Sequence, residues 1–287
     1  MSRDQGHLPR NEPLRQTQDY LRLLGVPDLP PLLSPFDPGY DLGTLTGHLD
    51  QSAHLMSRLK VSMACWLVGR EEVSRAKVGA AREHGVPTVS GGGPFEIAVA
   101  QGRLPEFLDL CADVGFDRIE AGQGFTDIKL DIDGIVGMAR ARGLEVQFEL
   151  GAKHDGAFDG RVVDALLDKG RAWLEAGASE LVIEARESAQ GVGLFDDRGR
   201  FNGQLADAFA GEFGLDALVF EAPTKPSQFA MLDHFGPGVR LCNIRLEEVL
   251  RVEIYRRGLH SDAFSKPRLA PGSPVDLEPR QQIDLTR

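Results

Sequence analysis

Apolar and polar positions follow two alternating periods along most of the chain. Short runs rich in β-branched and aromatic residues read as strands: Pro31–Phe36, Leu59–Met63, Val86–Val89, Asp117–Ile119, Glu145–Phe148, Leu181–Ile183, Ala217–Phe220 and Arg240–Cys242. A helical period appears in Glu71–His84, Pro105–Val114, Asp127–Arg142, Val162–Ala176, Gln204–Phe213, Ser227–Phe235 and Leu246–Arg257. Gly85, Gly143 and Gly236 stand at or just past helix ends, where a left-handed residue is expected. The strand ends recur at intervals of roughly 29 residues, close to one βα unit when about 250 residues are divided among eight. No glycine-rich dinucleotide fingerprint is present. The pattern therefore predicts an α/β chain folded as a single-domain (β/α)₈ TIM barrel rather than an open doubly wound sheet.

The predicted barrel spans residues 31–264. A polar N-terminal arm, residues 1–30, precedes it and carries one short amphipathic stretch, Gln18–Leu24. A tail rich in Pro and charge, residues 265–287, follows it and reads as extended.

Composition narrows the function classes. Of 287 residues, 42% are hydrophobic, enough to exclude disorder as the main state. The 32 Lys and Arg against 43 Asp and Glu give a net charge of −11, which repels nucleic acid and anionic lipid. No partner of either kind is expected, and an anionic substrate must find a local cluster of cations or free amides. Cys65, Cys111 and Cys242 lie far apart and suggest neither a zinc site nor a disulfide framework. The first residues lack an apolar leader and no stretch is long enough to span a membrane, so the expected location is the cytoplasm. A homo-oligomer is expected.

The strand ends carry the candidate chemistry. Glu120, Glu149, Glu184 and Glu221 each follow an apolar strand residue, and Asp37 follows Phe36. A barrel gathers the C-terminal ends of its strands at one mouth, so these acids would share a cavity. Carboxylates gathered in a desolvated pocket repel one another unless a cation or proton intervenes, and Mg²⁺ answers that need with one or two carboxylates plus water and substrate oxygens. The alternative is that each Glu pairs with a neighbouring base or caps a helix. Lys60, Lys153, Arg186 and Lys225 stand beside the acids and would make a site for a small polyanion. Gly91–Gly93 before Pro94 could offer helix N-terminal amides to a phosphate, and Gly191–Gly193 could belong to a mobile cover. Either glycine run could instead be a plain turn. Among the histidines only His154, beside Lys153, suggests acid–base work.

From about Val86 to Phe264 the chain resembles the phosphosulfolactate synthase family. The resemblance rests on Gly91-Gly92 with Phe95-Glu96, Gly115-Phe116 with Ile119-Glu120, and Glu149-Leu150-Gly151. It continues in Ile183 to Ser188 leading to Gly191-Val192-Gly193-Leu194-Phe195-Asp196, in Phe220 to Pro223, in Asn243-Ile244, and in Glu253 to Leu259. The resemblance implies a (β/α)₈ barrel, Mg²⁺ dependence, and addition of sulfite to phosphoenolpyruvate. It implies Glu149, Glu184 and Glu221, with Glu120 and Asp37 beside them, as metal ligands. Arg186 would hold phosphate or carboxylate and Lys153 would donate the proton, with Lys60 and Glu149 beside them. Gly91, Gly92, Ser188, Gly191, Gly193, Lys225 and Asn243 would complete the substrate site. Plant heat-stress-associated proteins resemble the same family, which leaves a non-catalytic role open at this stage.

Four departures concern the mouth. The family tends to carry Asp-Lys-Gly where this chain has Asp37-Pro38-Gly39, and an aromatic glycine-rich turn where it has Val61 to Trp66. Gly93 replaces an expected Thr, and Ala152 replaces the first of two lysines. Three of these remove charge or hydrogen-bonding capacity, so a diverged nucleophile or enol acid is the second enzymatic reading.

Overall fold

All eight predicted strands form, and they pair in chain order. The computed structural model describes residues 17–126, 128–153, 156–264 and 266. Helix α1 (Thr17–Leu23) coincides with the amphipathic stretch of the N-terminal arm and buries none of its residues. The strands are β1 (Leu33–Asp37), β2 (Leu59–Val61), β3 (Thr88–Ser90), β4 (Arg118–Ala121), β5 (Glu145–Leu150), β6 (Glu180–Ile183), β7 (Leu218–Glu221) and β8 (Leu241–Arg245). Every pairing is parallel, and β8 returns to β1, so the sheet closes as a (β/α)₈ barrel.

The outer layer comprises α2 (Leu42–Ser52), α3 (Cys65–Val68), α4 (Glu71–Glu83), α5 (Gly92–Ala100), α6 (Leu104–Val114), α7 (Ile132–Arg140), α8 (Gly160–Ala176), α9 (Gly203–Phe213), α10 (Lys225–Phe235) and α11 (Val249–Arg256). Three of these, α2, α3 and α5, are absent from the helical periods of the sequence. The helix expected from Asp127 begins at Ile132, and Asp127 itself lies outside the described residues. The strand expected through Met63 stops at Val61, because Met63 turns into the left-handed region with φ +52°. Gly85, Gly143 and Gly236 do adopt positive φ. Among the described residues no helix is long and apolar enough to cross a membrane.

Strand alternation divides the interior in two. Ile119, Phe148, Leu181, Ile183 and Phe220 join the continuous apolar layer between sheet and helices. The intervening positions point into the barrel lumen, where Val182, Val219 and Cys242 form a separate small cluster. Since Ile119, Phe148, Ile183 and Phe220 face the helices, the glutamate after each faces the lumen. The lower end of the lumen is ionic. Buried Glu180 is paired with Arg58, with Arg118 at 2.8 Å and with Arg240 at 2.5 Å. Burial would raise that carboxyl, but the three guanidiniums outweigh it and hold the group below the ordinary range.

Candidate active site

Two ammonium groups organise the upper lumen. Lys60 Nζ, on β2, lies 2.6 Å from Glu120 Oε1, 3.8 Å from Glu221 Oε1 and 3.3 Å from Asn243 Oδ1. Burial alone would lower this lysine, yet Glu120, Glu221 and Glu149 outweigh that and raise it. Glu120 also accepts from Gln147 Nε2 at 2.8 Å and from the Gly92 amide at 3.1 Å. Glu221 accepts from the amides of Ala185 and Arg186, at 2.8 and 3.0 Å, and from the Asn243 side chain. These two carboxylates are fully engaged by the protein.

Glu149 and Glu184 are not. Lys153 Nζ stands 3.4 Å from Glu149 Oε1 and 3.4 Å from Glu184 Oε2. Glu184 Oε1 accepts from the Arg186 amide at 2.5 Å, while Oε2 is buried and, among the described residues, has the Lys153 ammonium as ion-pair partner but no hydrogen bond. One ammonium cannot neutralise two buried carboxylates. Burial and the charge of Glu221 push Glu184 up to about 7, and burial with the Glu184 charge raises Glu149 well above the carboxylate range. Between its two partners Lys153 is raised, despite burial acting the other way, so it is held as an ammonium. An all-oxygen donor pair that must otherwise hold a proton fits a hard divalent cation. Among the described residues, however, no three Asp, Glu, His or Cys side chains converge into a metal cage.

Above these groups lies a cavity of about 650 Å³ at the strand C-termini, where barrel enzymes place their sites. It gathers Lys60, Gly92, Glu120, Lys153, Glu184, Arg186, Ser188, Glu221 and Asn243, all singled out from the sequence. Glu149 sits below the rim, within reach of Lys153. Arg186 hydrogen-bonds the Lys153 carbonyl at 3.1 Å and is exposed to the cavity.

Other expected residues are elsewhere. Asp37 is fully buried and engaged by Lys77 at 2.7 Å and by the amides of Gly39 and Tyr40, so it stands apart from the other acids. Lys225, the first residue of α10, pairs with Asp262 at 3.2 Å and does not line the cavity. The Gly91 amide donates to Val61 O, and that of Gly92 to Glu120, so neither is free to hold a phosphate. Gly191 and Gly193 shape a packed loop rather than an open cover: Val192, Leu194 and Phe195 are buried, and the Gly193 carbonyl accepts from the Phe158 amide at 2.7 Å. A Cβ on Gly193 would fall 2.0 Å from the Glu184 carbonyl, so this close approach holds the strand end against the loop. His154 lies outside the described residues.

The sequence reading left Glu96 without a role. It is buried on α5, and its carboxylate accepts from the amides of Gly124, Phe125 and Thr126 at 2.9, 3.1 and 3.1 Å, fixing the loop after β4. Gln147, which orients Glu120 from the middle of β5, was also missed.

A closed parallel barrel with buried ammonium–carboxylate pairs beneath a cavity at the strand C-termini is the arrangement of a (β/α)₈ enzyme for small molecules. The family model of (2R)-phospho-3-sulfolactate synthase (ComA) matches residues 34–262, and the chain belongs to that family, making it an enzyme of the carbon–sulfur lyase type. It is 34% identical over 196 residues to the phosphosulfolactate synthase of Methanocaldococcus jannaschii, covering 68% of this chain and 78% of that protein. With the phosphosulfolactate synthase of Methanothermobacter thermautotrophicus it shares 29% identity over 234 residues, 81% of this chain and 91% of that one. A solved structure titled KGPDC from Streptococcus mutans shares the fold, with TM-score 0.51 and 13% identity over 80% of this chain and 99% of the other.

Proposed function

We propose that the enzyme adds sulfite to phosphoenolpyruvate, with Mg²⁺ as cofactor, to give phosphosulfolactate. The observation that carries this reading is the Glu149–Lys153–Glu184 group, two carboxylates short of one positive charge beneath a cation-lined cavity. Glu149 and Glu184 would hold the metal, with water or substrate oxygens completing its shell. The bound ion would stabilise negative charge developing on the substrate carboxylate.

The chain's own groups supply the rest. Arg186, exposed in the cavity, suits a phosphate or carboxylate through its planar fork. Lys60, raised by Glu120 and Glu221, contributes a fixed positive charge at the lumen side. Sulfite sulfur bonds to C3 of the enol phosphate, and the C2–C3 π pair moves toward the carboxylate. A proton is then needed at C2. Lys153 carries one at neutral pH, and the electron-rich carbon is far more basic than an amine, so the transfer runs downhill.

The test is direct. Purified protein with phosphoenolpyruvate, sulfite and Mg²⁺ should form a sulfonated phosphoacid. Lys153→Met should reduce kcat by about 10²–10⁴-fold with phosphoenolpyruvate still bound. Absence of product from the wild type at any Mg²⁺ concentration would reject the reading.

A further inference from the structure

Part of the cavity lining is apolar. Met63, Ile97 and Phe125 line it with 55, 54 and 45% of their surfaces exposed. Met63 holds a left-handed backbone, φ +52°, uncommon and strained for a side-chain-bearing residue. It sits so close to Gly91 that a Cβ there would lie 2.6 Å from the Met63 nitrogen. Such a conformation at an exposed apolar residue points to function rather than packing.

The apolar wall also continues. Ala64, Pro94 and Ile97 are shared with a second concavity of about 400 Å³ between α3, α5 and α6. Leu67, Phe107 and Leu110 line its far side. Two adjoining cavities of this size exceed a three-carbon acid and fall in the range that holds larger ligands through apolar walls and a few polar groups.

We propose that the enzyme also accepts organic sulfur nucleophiles, thiols or sulfinates with an apolar substituent, whose tail runs from the reaction cavity into this groove. The inference rests on the addition chemistry proposed above and widens its nucleophile. The groove adjoins the reaction cavity across Ala64, Pro94 and Ile97, which line both, and that shared rim selects a substrate tail over a separate binding partner. The step balances without a redox partner. The lone pair of the sulfinate, or of the thiolate left when a thiol gives its proton to solvent, forms the S–C3 bond, the C2–C3 π bond breaks, and one proton is delivered to C2. The phosphate stays on C2, giving a thioether from a thiol or a sulfone from a sulfinate.

The full-length protein is supplied with phosphoenolpyruvate and Mg²⁺, then with sulfite or with methane-, propane- and hexanesulfinate and the matching thiols. Mass spectrometry follows the adducts. In one of the two series kcat/KM should rise by about four-fold per buried methylene, and that series identifies the head group. Leu67→Glu and Leu110→Glu, both at exposed positions, should flatten the rise while the sulfite rate stays within about two-fold. If sulfite reacts and both organic series are flat or falling, the inference is overturned and the proposed function stands. If no nucleophile reacts, both fail. If Leu110→Glu dissociates an oligomer and leaves the series unchanged, the groove belongs to a second copy of the chain, and the inference is likewise overturned.

Discussion

Lys60 Nζ reaches past β3 to Glu120 Oε1 at 2.6 Å, joining β2 to β4 through the lumen. Both side chains are almost wholly buried, so each charge depends on the other. Removing one partner of such a pair is costlier than removing both. Lys60→Met should destabilise the fold by about 3–5 kcal/mol, and adding Glu120→Gln should restore part of that loss. Urea unfolding of the single and double variants measures the coupling. A Lys60→Met protein as stable as wild type contradicts it.

The raised Glu184 carboxyl predicts an inverted pH profile for metal-free protein. Its ordinary value of 4.5 becomes about 7 in the fold, so between those values the native state binds the extra proton. Its stabilising effect is complete below 4.5 and is lost as pH climbs through 7, about 3 kcal/mol in all. Chemical denaturation across pH 4.5–7.5 in chelator should show the decline, and Glu184→Gln should reduce it, the raised Glu149 carboxyl keeping part of the slope.

Among the described residues the Arg186 side chain hydrogen-bonds only the Lys153 carbonyl, and it is open to the cavity. Its replacement therefore tests binding more than folding. Arg186→Ala should weaken phosphoenolpyruvate binding by about 10–100-fold, with unfolding unchanged within about 0.5 kcal/mol. Titration calorimetry with the wild type as reference decides it.

Gly193 faces the opposite outcome. With φ +57° and a carbonyl where its Cβ would go, any side chain forces the loop off β6. Gly193→Ala should cost more than about 3 kcal/mol and displace Glu184, abolishing activity even where folded protein is recovered. A thermal melt and an activity assay together check this.

The lumen glutamates were legible because strand alternation is strict: an apolar residue beneath the helices sends its neighbour inward. Which acids stay unengaged was not legible. Asp37 is answered by Lys77 from α4, and Glu120 by Gln147 from β5, pairings that arise only when distant elements meet. Helix α5 was hidden for another reason. Its sequence GGPFEIAVA begins with glycines that read as a turn, then buries residues with no clear polar face. For α2 a signal did exist, since Asp41 caps the Thr44 amide at 3.0 Å, but its glycines and threonines obscured the period. Glu96 went unassigned because a helical acid looks solvated until the loop it fastens is in place.

The arginines gathered on Glu180 stopper the lower end of the barrel, leaving a blind well. Its upper opening must serve as both door and exit. Whatever meets over Lys60 and Lys153 must arrive and depart through that one opening.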